Sequence, residues 1–71
     1  MKLTINGAER EFPKIEGDEV ALSELLKTHL ELGDLPVLVE LNSTALLKKE
    51  VGKGVVKEGD VLEIIRMVAG G

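Results

Sequence analysis

The sequence predicts an α+β domain, a mixed four- to five-stranded sheet packed on one main helix, and three observations point there. Its 71 residues, 44% apolar and 31% charged, suffice for one core and not for two. Several apolar stretches have strand length or strict alternation, whereas a single stretch has helical period. The order of these stretches holds too few helices for a doubly wound sheet and too many strands for a bundle.

The first element is a hairpin over residues 2–6 and 9–15. Leu3 and Ile5 alternate with Thr4 and Asn6, and Asn6-Gly7 supplies two residues that tolerate positive φ. Pro13 lacks a ladder donor and places the second arm, with Phe12 and Ile15, at a sheet edge. Glu16 to Glu19 form a polar turn. Leu22, Leu25, Leu26 and Leu30 then fall at helical spacing, predicting a helix over 20–32 with Asp18 as N-cap and Gly33 as the C′ residue. Val37 to Leu41 form a β-branched-rich run closed by Asn42-Ser43, giving a strand over 37–42 and a short return strand over 44–47. Gly52 and Gly54 are costly inside a helix, so 48–56 reads as loop. Lys57 to Asp60 turn the chain into Val61 to Met67, the most apolar strand, expected mid-sheet.

Composition excludes several functions. The net charge is −4 and the longest basic run is Lys48-Lys49, so phosphate neutralisation cannot drive nucleic-acid binding. Phe12 is the single aromatic residue and leaves no stacking platform for single strands. With no cysteine there is no disulfide framework, thiolate cluster or thiol nucleophile, and a lone His29 cannot complete a metal site. No apolar run has membrane-spanning length and the start carries no signal-peptide core, so the protein is expected in the cytoplasm, away from membranes. Asp18, Glu19, Asp34 and Asp60 lie where turns and helix starts favour carboxylates and are assigned structural roles. Gly52-Lys53-Gly54 lacks the glycine spacing and hydroxyl of a phosphate-binding loop and reads as a flexible turn.

The chemical group of interest is the end. The chain stops at Val68-Ala69-Gly70-Gly71, directly after the strongest strand. The organisation expected is one domain over 1–67 followed by a flexible tail over 68–71. Two terminal residues without Cβ can enter a narrow channel, and Gly71 presents an unhindered carboxylate that is a poor acyl donor until activated.

These features together carry a resemblance. The strand-strand-helix-strand-strand order, Asn42 after the third strand, Lys57-Glu58-Gly59-Asp60 leading into Val61 to Ile65, and the Val-Ala-Gly-Gly end resemble the ThiS/MoaD family of ubiquitin-like sulfur carriers, most closely its thiamine-biosynthesis (ThiS) type. The resemblance covers nearly the whole chain. It implies a ubiquitin-like β-grasp and a sulfur carrier that is not itself an enzyme. In such a carrier, the Gly71 carboxylate is adenylated by an E1-like enzyme, converted to a thiocarboxylate, and delivers sulfur to thiazole synthase. Gly70 and Ala69 form the slim approach. No cofactor is expected on the chain, ATP and a sulfur donor being used by the partner enzyme, and the free carrier is expected to be monomeric. Leu46-Leu47-Lys48 stands where many members have Val-Pro-Arg, and a Gly52-x-Gly54 loop where a short helix is usual. The alternatives are a carrier like the molybdopterin-synthase small subunit, a ubiquitin-like modifier attached through Gly71, for which Lys48, Lys49 and Lys53 are ordinary attachment lysines, and a β-grasp binding module with an incidental tail.

Period two also predicts a surface. With Leu62, Ile64, Val37, Val39 and Leu41 inward, Leu38, Ile65 and Met67 are turned outward beside the tail and form the expected docking patch for the activating enzyme.

Overall fold

The computed structural model describes residues 1–67, and strands account for most of their regular structure. Strands β1 (Lys2–Ile5), β2 (Ala8–Glu11), β4 (Val37–Leu41), β5 (Thr44–Ala45) and β7 (Val61–Arg66) form one sheet in the order β2-β1-β7-β4-β5. β7 is central, parallel to β1 and antiparallel to β4. Two further strands, β3 (Glu19–Ala21) and β6 (Val55–Lys57), pair antiparallel as a small second sheet. This arrangement, with one main helical segment against the mixed sheet, is the ubiquitin-like β-grasp.

Both tight turns follow from their residues. Asn6 (φ 51°) and Gly7 (φ 83°) join β1 to β2, and Asn42 (φ 49°) and Ser43 (φ 72°) join β4 to β5; two successive left-handed residues match the twist of a hairpin. The second arm is shorter than the expected 9–15: β2 ends at Glu11, Phe12 adds one further backbone pair with Met1, donating to its carbonyl at 2.7 Å and accepting from its amino group at 2.9 Å, and Phe12 and Ile15 are buried in the core. Likewise the return strand stops at Ala45 rather than 47.

The helix differs most from expectation. Val20 belongs to β3, α1 starts at Leu22 (Leu22–Glu24), and its continuation Leu25–His29 is wound as a π-helix, with the Leu30 N–H donating to the Leu25 carbonyl at 2.9 Å. Asp18 does not cap it. Ala21 occupies the cap position without a side-chain bond, and the Leu22 N–H is satisfied instead by the Gly54 carbonyl at 2.9 Å, while the Asp18 carbonyl accepts the Glu58 N–H. The left-handed residue that ends the helix is Glu31 (φ 56°), not Gly33, and the Leu32 N–H returns to the Leu26 carbonyl at 2.8 Å.

The expected loop over 48–56 holds helix α2 (Lys48–Val51) and the start of β6. The short helix usual in the family, which the glycine penalty at Gly52 and Gly54 had argued against, is therefore present. Its entry is secured by Glu50, whose carboxylate accepts the Leu47 N–H at 2.7 Å. Gly54 is a close-packing position rather than a flexible turn: a Cβ there would stand 3.1 Å from Leu22 Cδ2 and 3.3 Å from the Glu50 carbonyl oxygen.

The core draws on every layer. Leu3, Leu22, Leu25, Val39, Val56 and Leu62 are essentially inaccessible, with Val37, Leu41 and Leu30 half-buried at the margin. Their burial is the main favourable term holding the sheet to the helix. Among the described residues no helix is long and apolar enough to cross a membrane.

Candidate functional site

The site is built on β7, because that strand leads toward the chain end. Its burial alternates, Leu62 and Ile64 inward and Val61, Glu63 and Ile65 outward, as a pleated strand with one covered face requires. β4 lies beside it with Leu38 opposite Ile65, Val39 opposite Ile64 and Glu40 opposite Glu63. Past Arg66 the pairing continues one step further, the Met67 N–H donating to the Pro36 carbonyl at 2.9 Å. Leu38, Ile65 and Met67 are 52%, 56% and 45% exposed, so the structure brings together on the outer face the three residues that the alternation singled out. Ile65 and Leu38 are direct cross-strand neighbours, close enough for one partner side chain to cover both.

The position of β7 is fixed by two asparagines that alternation alone does not reveal. Asn6 donates from Nδ2 to the Ile64 carbonyl at 3.1 Å and accepts the Ile64 N–H on Oδ1 at 2.7 Å, continuing the β1–β7 ladder with a side chain in place of backbone. Asn42 accepts the Val61 N–H at 2.9 Å and donates to Asp60 Oδ1 at 3.0 Å, while Asp60 Oδ2 accepts the Lys57 N–H at 2.8 Å. Each is a left-handed turn residue whose side chain reaches back onto β7. The readable signal was the Asn-Gly and Asn-Ser turn chemistry; the partner was not readable.

Around the edge of β4 the apolar face continues into an open groove of about 600 Å³, bounded by Leu26, Pro36, Leu38, Leu46, Val51 and Met67. Leu38 and Met67 belong to both surfaces. Val61, 44% exposed on the outward side of β7, extends the apolar character at the strand's other end and was not anticipated.

Among the described residues no group of three or more His, Cys, Asp or Glu is placed to hold a metal ion. His29 packs its ring edge-on against Phe12, centroids 6.4 Å apart at 78°, a structural use of the lone imidazole. The carboxylate of Gly71 and the approach residues Gly70 and Ala69 lie outside the described residues, as does the whole of the expected tail over 68–71. What the described part offers is therefore an exposed apolar face that reaches Met67, the last described residue before that segment.

Comparison with known proteins bears on what such a face serves. No curated protein sequence matches the chain. A solved structure of a thiamine biosynthesis protein, ThiS, from Geobacter metallireducens is similar to it, with a TM-score of 0.78 and 30% identity over 100% of both chains. The model of the ThiS family matches residues 3–71, a span that begins within β1 and includes the central strand and Gly70-Gly71. On that match over nearly its whole length, the chain belongs to the ThiS family.

Proposed function

We propose that this protein carries sulfur for thiamine biosynthesis on the carboxyl group of Gly71. The observation that carries the reading is the family match running through Gly71 itself, which puts the Gly-Gly end within the family's own span. In the proposed sequence an E1-like enzyme binds the apolar face of Leu38, Ile65 and Met67. A carboxylate oxygen of Gly71 then attacks the α-phosphorus of ATP, and pyrophosphate leaves. Hydrosulfide released by a sulfur donor attacks the acyl carbon of this adenylate, AMP leaves, and loss of the sulfur-bound proton makes the terminus a thiocarboxylate. Thiazole synthase takes the sulfur from it. The activation is needed because a free carboxylate has no adequate leaving group, and the adenylate supplies one.

The division of labour is physical. The chain contributes a recognisable face and a slim end: Gly70 and Gly71 have no Cβ and Ala69 only a methyl group, so a channel too narrow for larger residues admits them. The partners contribute ATP, sulfur and the groups that stabilise the transition states.

The test is the intact mass of the protein after incubation with ATP, a thiamine-pathway activating enzyme and a sulfide source, beside a variant lacking Gly71. The expected result is replacement of one oxygen by sulfur in the full chain only. An unchanged mass, with the enzyme competent on its own carrier, refutes the reading. Attachment of the chain to lysines of other proteins in place of a thiocarboxylate would assign it instead to the modifiers.

A further inference from the structure

The outer face of the sheet carries a second chemistry next to its apolar end. β4 and β7 set Glu40 directly opposite Glu63, both exposed, two residues along each strand from the Leu38–Ile65 pair. At the rise of an antiparallel strand that separation is about 7 Å. Like charges at opposed positions weaken a ladder, and glutamate is itself a poor strand former.

Nothing in the described part of the chain offsets this. The ion pairs among the described residues are the Met1 amino group with Glu11 and Lys27 with Asp34, and neither involves Glu40 or Glu63. On one flank Glu40 faces Ala45, which offers a methyl group and no charge. On the other, the amide of Asn6 is committed to the backbone of Ile64. A local rule broken at two facing positions without internal compensation is the pattern of a functional surface.

Resting on the sulfur-carrier reading, the geometry points to Glu40 and Glu63 as the paired acceptors for a cationic side chain, arginine or lysine, on the docking face of the activating enzyme. The complementary charge is argued from the pair itself and from the net charge of −4. Two carboxylates on adjacent strands suit the planar fork of an arginine, which can donate to both at once. The partner's contact is thereby given an order: an apolar group over Leu38, Ile65 and Met67, and a cation about 7 Å farther along the strands. The apolar contact supplies area, and the cation fixes register and speeds encounter. The repulsion tolerated in the free carrier is relieved when that cation arrives.

The experiment compares wild type, Glu63→Lys and the double variant Glu40→Gln/Glu63→Gln in two measurements: thermal unfolding of the protein alone, and kcat/KM of ATP–pyrophosphate exchange with the activating enzyme. Both variants are expected to melt at or above the wild-type temperature, since the repulsion is gone. Both are expected to lose roughly tenfold in kcat/KM at low salt with kcat little changed, the signature of a lost electrostatic contact. In 1 M salt, where the screening length is about 3 Å, the difference should close. Unchanged kcat/KM, a loss insensitive to salt, or variants that melt below wild type overturn the inference alone, provided that wild type is turned over. A wild-type chain that the competent enzyme does not turn over overturns the sulfur-carrier reading, and this inference with it.

Discussion

Replacing Asn6 with glycine removes a side chain and leaves its backbone at ease, because glycine adopts the left-handed φ of 51° without strain. What is lost is the pair of bonds to Ile64, at 2.7 and 3.1 Å, in a part-buried position. A typical bond contributes about 0.5–1.5 kcal/mol net, so the pair is worth about 1–3 kcal/mol. The extra freedom of glycine in the unfolded chain and its easier left-handed φ in the folded one act in opposite directions and largely cancel. Asn42→Gly is the matched control, with a φ of 49° and two bonds that are both exposed, at 2.9 and 3.0 Å. Water can replace those partners, so its cost should stay below about 1 kcal/mol. Urea unfolding at one temperature reads both, as midpoint shifts with the m-value unchanged. For a domain of this size each kcal/mol also lowers Tm by about 4–8 °C. Equal losses in the two variants, or an Asn6→Gly loss under about 0.5 kcal/mol, would refute the argument that burial makes the Asn6 clamp the stronger one.

The remaining predictions use the same logic at other positions. Gly54→Ala should destabilise by about 1–3 kcal/mol, because its Cβ meets Leu22 Cδ2 at 3.1 Å and backbone at 3.3 Å. Gly52→Ala, whose nearest neighbour is a carbonyl oxygen at 3.7 Å, should be neutral or slightly stabilising in the same unfolding assay. Leu22→Ala, at a side chain with 0% exposure, should cost about 2–5 kcal/mol, visible as a lowered urea midpoint. Ile65→Asp should cost about 1–2 kcal/mol, from the lost strand propensity and the lost cross-strand contact with Leu38, because the side chain is exposed and no core volume is removed. That loss leaves the fold intact, so the fall of about tenfold expected in kcat/KM for adenylation, as at an interface position worth more than 1 kcal/mol, reads the contact itself; unchanged kinetics would remove Leu38, Ile65 and Met67 as the docking face.

Elements whose signal is local were legible. Asn6-Gly7 and Asn42-Ser43 specify their hairpins by backbone tolerance alone, and the alternation of β4 and β7 sorts Val39, Leu62 and Ile64 from Leu38 and Ile65 before any partner strand is known. Elements whose signal is a partner were not. β3 and β6 are three residues each, too short to show a period, and exist because Glu19–Ala21 and Val55–Lys57 complete one another's backbone bonds. The cap of α1 was misplaced for the same reason: Asp18 has the right side chain, but the Gly54 carbonyl from a distant loop takes the Leu22 N–H. Composition made the same kind of error at 48–56, where the penalty for glycine was applied to a stretch in which α2 ends before Gly52 and Gly54 is used for contact.

By itself, then, the sequence determined the class of fold, the two tight turns, the inward and outward faces of the central strand and the character of the Gly-Gly end. Those depend on residue type and on spacings of a few positions, which are fixed by covalent geometry. Only the tertiary structure decided that β7 lies between a parallel and an antiparallel neighbour. It alone placed Leu38 against Ile65 and Glu40 against Glu63, and let Asn6 and Asn42 hold the strand that leads to the chain end. Register between strands distant in sequence is set by which packing satisfies the whole core at once, and no local window of residues contains that sum.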